Sequence, residues 1–154
     1  MEPAMKNYWT LAAMIVTSMM AMYGLTYLNV SSIDHIDFSQ MRLFMTLIMG
    51  SVMTVIMLIF MLRMYERPAV NAAIVAAAML VFSGALWLMR SQASVDDVSY
   101  MRAMIPHHSI AILTSRNARI SDPRVRDLAD RIIEAQEREI GEMKTLIDAL
   151  NRGQ

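Results

Sequence analysis

Three uncharged, apolar stretches occupy most of the amino-terminal part of this 154-residue chain. They cover residues 8–28, 43–62 and 70–89, and arginines flank the second and third stretches. Because an α-helix rises ~1.5 Å per residue, each stretch is long enough to cross the ~30 Å hydrocarbon layer of a bilayer. A charge at the centre of such a helix costs roughly 2.5–3.5 kcal/mol, which is consistent with the uncharged interiors. The sequence therefore predicts a membrane region of three helices over residues 1–92.

The connections between these stretches differ in their positive charge. Lys6 precedes the first stretch, and Arg63 and Arg67 lie between the second and third, whereas the loop at 29–41 is acidic and contains no lysine or arginine. Cytoplasmic loops carry an excess of lysine and arginine, so this pattern favours a cytoplasmic amino terminus. The carboxy-terminal region then lies outside the inner membrane, which in a bacterium means the periplasm.

A polar segment with helical periodicity follows Arg90. Asp122 and Pro123 mark the start of its second helix, because an N-cap aspartate accepts backbone N–H bonds and proline suits the first helical position. Gly153 ends that helical pattern. Residues 93–154 are therefore predicted to form an antiparallel helical hairpin outside the membrane. Two helices of this size enclose little core, so the hairpin needs a partner.

Side chains that can bind soft metals recur on the first helix of this hairpin. Met101, Met104 and His108 share one helical face because they are three or four residues apart. His107 points about 100° away on a regular helix. Pro106 lies inside the helix, where it removes a backbone hydrogen bond and can introduce a kink that redirects one imidazole.

The second helix carries an apolar stripe that two polar residues interrupt. At spacings of three and four it contains Val125, Leu128, Ile132, Gln136, Glu139, Met143, Leu146 and Leu150. Burying Gln136 and Glu139 without partners would cost several kcal/mol, so both side chains need a hydrogen-bond network, a metal or water.

Folding the hairpin about a turn at residues 120–121 places the two methionines of the first helix level with residues 136–140, and His108 near Ile133. Thioether, imidazole, carboxylate and amide groups then converge from two separate parts of the sequence. Thioether with imidazole favours Cu(I), or Ag(I) as its mimic, whereas zinc prefers thiolate, imidazole and carboxylate. The alternative is that the methionines fill the core and the histidines are hydrogen-bonded or exposed.

The composition argues against several other functions. The chain contains no cysteine, which excludes disulfide frameworks and thiolate metal sites. Its 14 basic and 14 acidic residues balance, so no nucleic-acid partner is expected. A di-iron bundle would need several glutamates and Glu-x-x-His pairs, which are absent. No arrangement of serine, histidine and acid suggests a hydrolase, and we expect no enzymatic activity.

Two strings in the hairpin are specific, Met-x-x-Met-Ile-Pro-His-His at 101–108 and Gln-x-x-Glu-Ile-x-x-Met at 136–143. Over roughly residues 94–147 the chain resembles a bacterial ferritin-like family of domains of unknown function, which includes the periplasmic copper-binding protein CopM. The resemblance implies a helical bundle outside the cytoplasmic membrane that binds copper or silver. The resemblance also implies which residues bind the metal: Met101, Met104, His107, His108 and Met143. Gln136 and Glu139 would then contact these ligands and not the metal itself.

Members of that family commonly have four helices in the domain, and this chain supplies two. A second copy would complete a four-helix bundle with twofold symmetry, so we expect a homodimer or a higher homo-oligomer. The predicted function is copper binding at the membrane for storage, homeostasis or hand-off to a copper-handling partner protein. The rival hypothesis is a membrane-anchored oligomerisation module without metal, whose buried polar residues specify the helix register.

Two further patterns are open to more than one interpretation. Methionine recurs every fourth residue from Met41 to Met61 and winds slowly around the second apolar helix. This row is either apolar packing and lipid contact or a transport path for Cu(I); nothing polar accompanies it, so we favour packing. In the first loop, Asp34, His35 and Asp37 form either an accessory Cu(II) site or a solvated loop, and we favour the loop.

Overall fold

The computed structural model describes residues 3–153, and side chains over 5–153. These residues form five α-helices and two short 3-10 helices, with no strand among them. The α-helices are, in order, α1 (Pro3–Leu25), α2 (Gln40–Phe60), α3 (Pro68–Ser91), α4 (Asp97–Asn117) and α5 (Pro123–Arg152). The prediction of an all-α protein is confirmed.

The first three helices are long and apolar enough to cross a membrane. The stretches that meet this criterion are Met5–Leu25, Gln40–Phe60 and Pro68–Ser91. Only 11% of the first and third stretches is buried within the protein, so most of their apolar surface is left for lipid. A helix that is apolar on all sides and not covered by protein is typical of a membrane span. These helices indicate a membrane protein.

The first of two compact units contains α1, most of α2, and α3. Its buried core is formed by Tyr8, Leu11, Leu58 and Tyr65. The Tyr8 hydroxyl donates to Asn71 Oδ1 at 2.7 Å and accepts from the Arg67 N–H at 3.2 Å. Because a buried phenol needs polar partners, these bonds tie the beginning of α1 to the beginning of α3.

Gly50 on α2 leaves room for the Met19 side chain of α1. A Cβ atom at this position would collide with the side chain of Met19 on α1. Small residues at helix contacts in a membrane permit such approach, because backbone and side-chain atoms of the neighbouring helix fill the space. Gly50 therefore belongs to the packing of the first unit.

The methionines of α2 lie in different environments. Met45 and Met49 are about half exposed, at 48% and 50%, whereas Met57 and Met61 pack against the Tyr8 core. A row with a spacing of four residues drifts around the helix, so one end faces outward and the other faces the core. Apolar packing and lipid contact account for this arrangement.

The second compact unit contains the connection Thr26–Gln40 and the hairpin of α4 and α5. Asp122 caps α5, since its carboxylate accepts the Arg124 N–H at 2.8 Å, and Pro123 is the first helical residue. The predicted start of this helix is therefore confirmed. α4 continues from Asp97 to Asn117 without interruption at Pro106, whose ring is buried.

The face that α5 turns toward α4 differs from the stripe expected from the sequence. The core between the two helices is formed by Met101, Ile105, Ile112, Ile140 and Ile147, with Ile133 and Met143 packed against it. Within the expected stripe, Met143 packs against this core, whereas five apolar residues remain 37–49% exposed: Val125, Leu128, Ile132, Leu146 and Leu150. α5 has an apolar surface wider than one helix can cover, and α4 covers only the isoleucine side of it.

We expect Ile140→Ala to destabilise the hairpin by about 2–5 kcal/mol, because it removes a buried side chain and leaves a cavity. Ile140 is 3% exposed in the core between α4 and α5. The free energy of opening can be measured from amide hydrogen exchange of α5 in the full chain. Thr145→Ala, at an exposed position of the same helix, is the control and should change it by less than about 0.5 kcal/mol. Equal effects of the two substitutions would contradict the assigned core.

Candidate metal site

A groove of about 530 Å³ lies between α4 and α5. It is lined by Asp97, Tyr100, Met101, Met104, His108, Glu139, Glu142, Met143, Leu146 and Leu150. All three methionines of the hairpin, one imidazole and three carboxylates therefore border one space. The α4 residues recur at spacings of three and four, so a regular helix presents them on one side.

His108 is held at both ring nitrogens. Nδ1 lies 2.9 Å from the carbonyl oxygen of Met104, and Nε2 lies 2.8 Å from Glu139 Oε2. A carbonyl and an ionised carboxylate only accept hydrogen bonds, so both bonds form together when both ring nitrogens carry protons. With a neutral ring and the proton on Nδ1, Nε2 instead presents a lone pair. A backbone carbonyl that holds Nδ1–H in this way is the usual partner of a metal-binding histidine.

The contact between His108 and Glu139 differs from the pairing expected from the sequence, which placed His108 near Ile133. Side chains on an α-helix lean toward its amino terminus. In an antiparallel pair, the His108 side chain therefore leans away from the turn between the helices, and the Glu139 side chain leans toward that turn. The two tips meet about one helical turn away from each Cα atom, which alignment of residue numbers alone does not show.

The structure brings together most of the side chains expected to bind metal. Four of the five expected ligands line the groove together with one of the two supporting residues: Met101, Met104, His108, Met143 and Glu139. Met101 is mostly buried in the core at 7% exposure, whereas Met104 and Met143 are half-buried. Asp97, Tyr100 and Glu142 also line the groove and were not predicted, although their spacing from Met101, Met104 and Glu139 places them on the same helix faces.

His107 and Gln136 do not line the groove. His107 is exposed, and its ring centroid lies 6.1 Å from that of His108. Because α4 is continuous through Pro106, the two histidines keep the ~100° separation of neighbouring helical residues. His107 therefore stays outside the groove in this structure. Gln136 is half-buried on α5.

The groove has the charge of a cation site. Asp97, Glu139 and Glu142 border it, and no lysine or arginine does so among the described residues. Within residues 3–153, no three histidine, aspartate or glutamate side chains are placed to hold one metal ion. The thioethers of Met101, Met104 and Met143 are the other metal-binding groups that border the groove. Sulfur and imidazole favour a soft ion such as Cu(I) or Ag(I) over zinc.

The acidic residues of the first loop contact basic residues of the hairpin. Asp34 accepts a hydrogen bond from Lys144 Nζ at 2.7 Å, and Asp37 lies 3.8 Å from Arg102 Nε. The hydrogen bond from Lys144, together with one from Ser32, holds the pKa of the Asp34 carboxyl well below its usual range. A Cu(II) ion at this loop would have to displace these basic side chains.

Comparisons with known proteins cover part of the chain. Residues 97–154 match the sequence profile of a family described as a domain of unknown function, DUF305. A stretch of 65 residues is 45% identical to Uncharacterized protein L153 of Acanthamoeba polyphaga mimivirus. That stretch covers 41% of this chain and 43% of the viral protein, so the chain spans less than half of this relative. No solved structure matches the chain. The DUF305 match fits the ferritin-like family of domains of unknown function that the sequence of α4 and α5 indicated.

Proposed function

We propose that this protein binds copper at the membrane, holding Cu(I) or Ag(I) in the groove between α4 and α5. One observation carries the proposal: His108 and all three methionines of the hairpin border the same space. Thioether sulfur and imidazole nitrogen together form the donor set that soft monovalent ions prefer. The proposed role is storage, homeostasis or hand-off to another copper-handling protein, without catalysis.

The residues around the groove have separate roles in this proposal. The Met104 carbonyl holds the Nδ1 proton of His108 and so aims Nε2 into the groove. The thioethers of Met101, Met104 and Met143 are neutral, so the nearby carboxylates supply the negative charge that attracts a cation. Glu139 holds the imidazole in this orientation through its bond to Nε2 and would have to release that nitrogen for metal binding.

We also propose that α1, α2 and α3 each cross the membrane, which determines the side on which the groove lies. Two crossings separate the connection after α1 from the segment after α3, so both lie on one side of the membrane. The compact unit that these segments form together supports this topology. With the amino terminus in the cytoplasm of a bacterium, that side is the periplasm, and α1 to α3 anchor the site in the inner membrane.

A second copy of this chain is the partner that we propose for α5. Beyond the groove, the side of α5 that α4 leaves uncovered contains large apolar residues: Val125, Leu128 and Ile132. Their spacing of three, four and seven residues is that of helices that pack side by side. Two hairpins would then form a four-helix bundle. The same observation favours the rival function, an oligomerisation module without metal.

We expect Met104→Leu and His108→Gln each to weaken Cu(I) binding by at least ~10-fold. Leucine conserves volume and apolarity but removes the sulfur, and glutamine removes the imidazole. The measurement is competition between the full chain in detergent and a chromophoric Cu(I) chelator. Met53→Leu, the same change in α2, is the matched control and should leave the affinity unaltered. Equal affinity in the unsubstituted chain and both groove variants would refute copper binding in the groove.

His107→Gln tests the ligand set in the same assay. The exposed position of His107 outside the groove leads us to expect an affinity within about twofold of the unsubstituted chain, since a lost ligand costs far more. A loss equal to that of His108→Gln would show that His107 is a ligand and that α4 rearranges on binding.

We expect Leu128→Glu to shift the full chain from dimer to monomer, because it places a charge in the proposed apolar contact between copies. The mass of the protein in detergent, from light scattering or native mass spectrometry, measures this change. Thr145→Glu adds the same charge at an exposed position of α5 outside the stripe and should leave the dimer intact. An unchanged mass in Leu128→Glu would contradict the interface. A stable dimer without Cu(I) affinity would favour the oligomerisation module.

A further inference from the structure

The connection between α1 and α2 folds onto the hairpin within the second compact unit. Ser31 and His35 contact Ser109 of α4, and the backbone N–H of Ser31 donates to Ser109 Oγ at 2.7 Å. The pairs of Asp34 with Lys144 and of Asp37 with Arg102, described above, add charged contacts on either side. The contacts at 31–37 therefore join two parts of the chain that are far apart in sequence.

The hydroxyl of Ser109 is the centre of these contacts. Ser109 is fully buried at 0% exposure, and its Oγ lies 2.9 Å from both Ser31 Oγ and His35 Nδ1. A hydroxyl has one proton and two lone pairs. The two lone pairs of Ser109 Oγ accept hydrogen bonds from the backbone N–H and the hydroxyl of Ser31. The Ser109 hydroxyl proton is then donated to His35 Nδ1, which can accept it when the imidazole is neutral.

Ser109, His35 and Asp34 lie together, but the Ser109 hydroxyl is not placed to act as a nucleophile. His35 Nε2 lies 3.8 Å from Asp34 Oδ2, so the order of residues resembles that of a catalytic triad. Ser109 has no accessible surface through which a substrate could reach its oxygen. Its Oγ is also engaged by the backbone N–H of Ser31. The group therefore serves to dock the connection onto α4.

The surroundings of His35 disfavour a positive charge on its imidazole. Its side chain is 15% exposed, and its near hydrogen-bond partners are two neutral hydroxyls. Burial lowers the pKa of His35, and the Lys144 ammonium on α5 lowers it further, whereas Asp34 and Glu137 act in the opposite direction. Asp34 gives the largest of the opposing contributions, but burial outweighs it, so the net direction of the His35 pKa is downward.

We propose that residues 31–37 form a pH-sensitive latch, which holds the α1–α2 connection on α4 at neutral pH and releases it in acid. The docked state binds fewer protons than the undocked state near the ordinary histidine pKa of about 6.5. Docking is therefore stable above that pH and weakens as the pH falls below it. The Asp34 carboxyl, whose pKa is lowered, stays charged across this range.

Release of the latch would change the surroundings of α4 directly beside the groove. Ser109 follows His108 in the sequence, and its buried hydroxyl would lose the backbone and imidazole partners that the connection supplies. A buried hydroxyl without partners is unfavourable, so α4 would have to expose it to water or rearrange. The latch does not depend on copper binding and can be tested in metal-free protein.

Distance measurements between two spin labels test the latch in the full chain. The chain has no cysteine, so Ile33→Cys and Glu134→Cys provide unique labelling positions, the first 85% exposed on the latch and the second exposed on α5. In lipid nanodiscs and metal-free buffer, we expect one narrow distance at about pH 7.5. At about pH 5.0 the ratio of undocked to docked chain should rise at least about threefold.

Two histidine substitutions identify the titrating group. His35→Gln cannot gain a proton in this range and should abolish the pH response, whereas His107→Gln changes an exposed histidine of α4 and should preserve it. Identical distances at the two pH values in the unsubstituted chain would overturn the proposal. The same conclusion follows if His35→Gln retains the response.

A second measurement covers the case in which His35→Gln is undocked at both pH values. In protein labelled with carbon-13 at histidine, the His35 resonance reports its protonation directly. The latch requires that the midpoint of this titration coincides with the midpoint of the distance change. Midpoints separated by more than about one pH unit would overturn the proposal, because the group that titrates would then not be the one that releases the segment.

Discussion

The packing of isoleucines between α4 and α5 is the interaction on which the candidate site depends. Ile105 and Ile112 of α4 are almost fully buried against Ile140 and Ile147 of α5. Branched side chains in a close-packed core tolerate little displacement, so this contact fixes the register of the hairpin. Only in that register does the imidazole of His108 meet the carboxylate of Glu139 at the groove.

In the proposed function, the Glu139 carboxylate and the metal ion compete for Nε2 of His108. In the structure, Nε2 of His108 faces Glu139, and in the proposed function the same nitrogen binds a soft cation. The Met104 carbonyl contributes in both cases because it holds the other ring nitrogen. Methionine sulfur is uncharged and binds protons negligibly, so the thioethers remain available while the imidazole changes partners.

Several features could be predicted because they depend on local properties of the sequence. Asp122 and Pro123 identify the start of α5, since capping and backbone geometry act within a few residues. The face shared by Met101, Met104 and His108 follows from helical periodicity alone. The family resemblance implied His107 as a ligand, but its side chain is exposed outside the groove. The part of α5 that faces α4 was not predictable, because the apolar stripe of α5 is wider than one helix can cover.

The sequence by itself determined three apolar helices and a polar helical pair, since length, charge and periodicity are sufficient to separate lipid-facing from water-facing segments. Tertiary structure alone decided which helix faces meet, that Glu139 pairs with His108, and that Ser31 and His35 of the first loop pack on Ser109. The residues that form these contacts are separated by between 31 and 78 positions in the sequence. These contacts form only when the helices pack in one of many possible arrangements. A local sequence pattern does not show which arrangement buries apolar surface best.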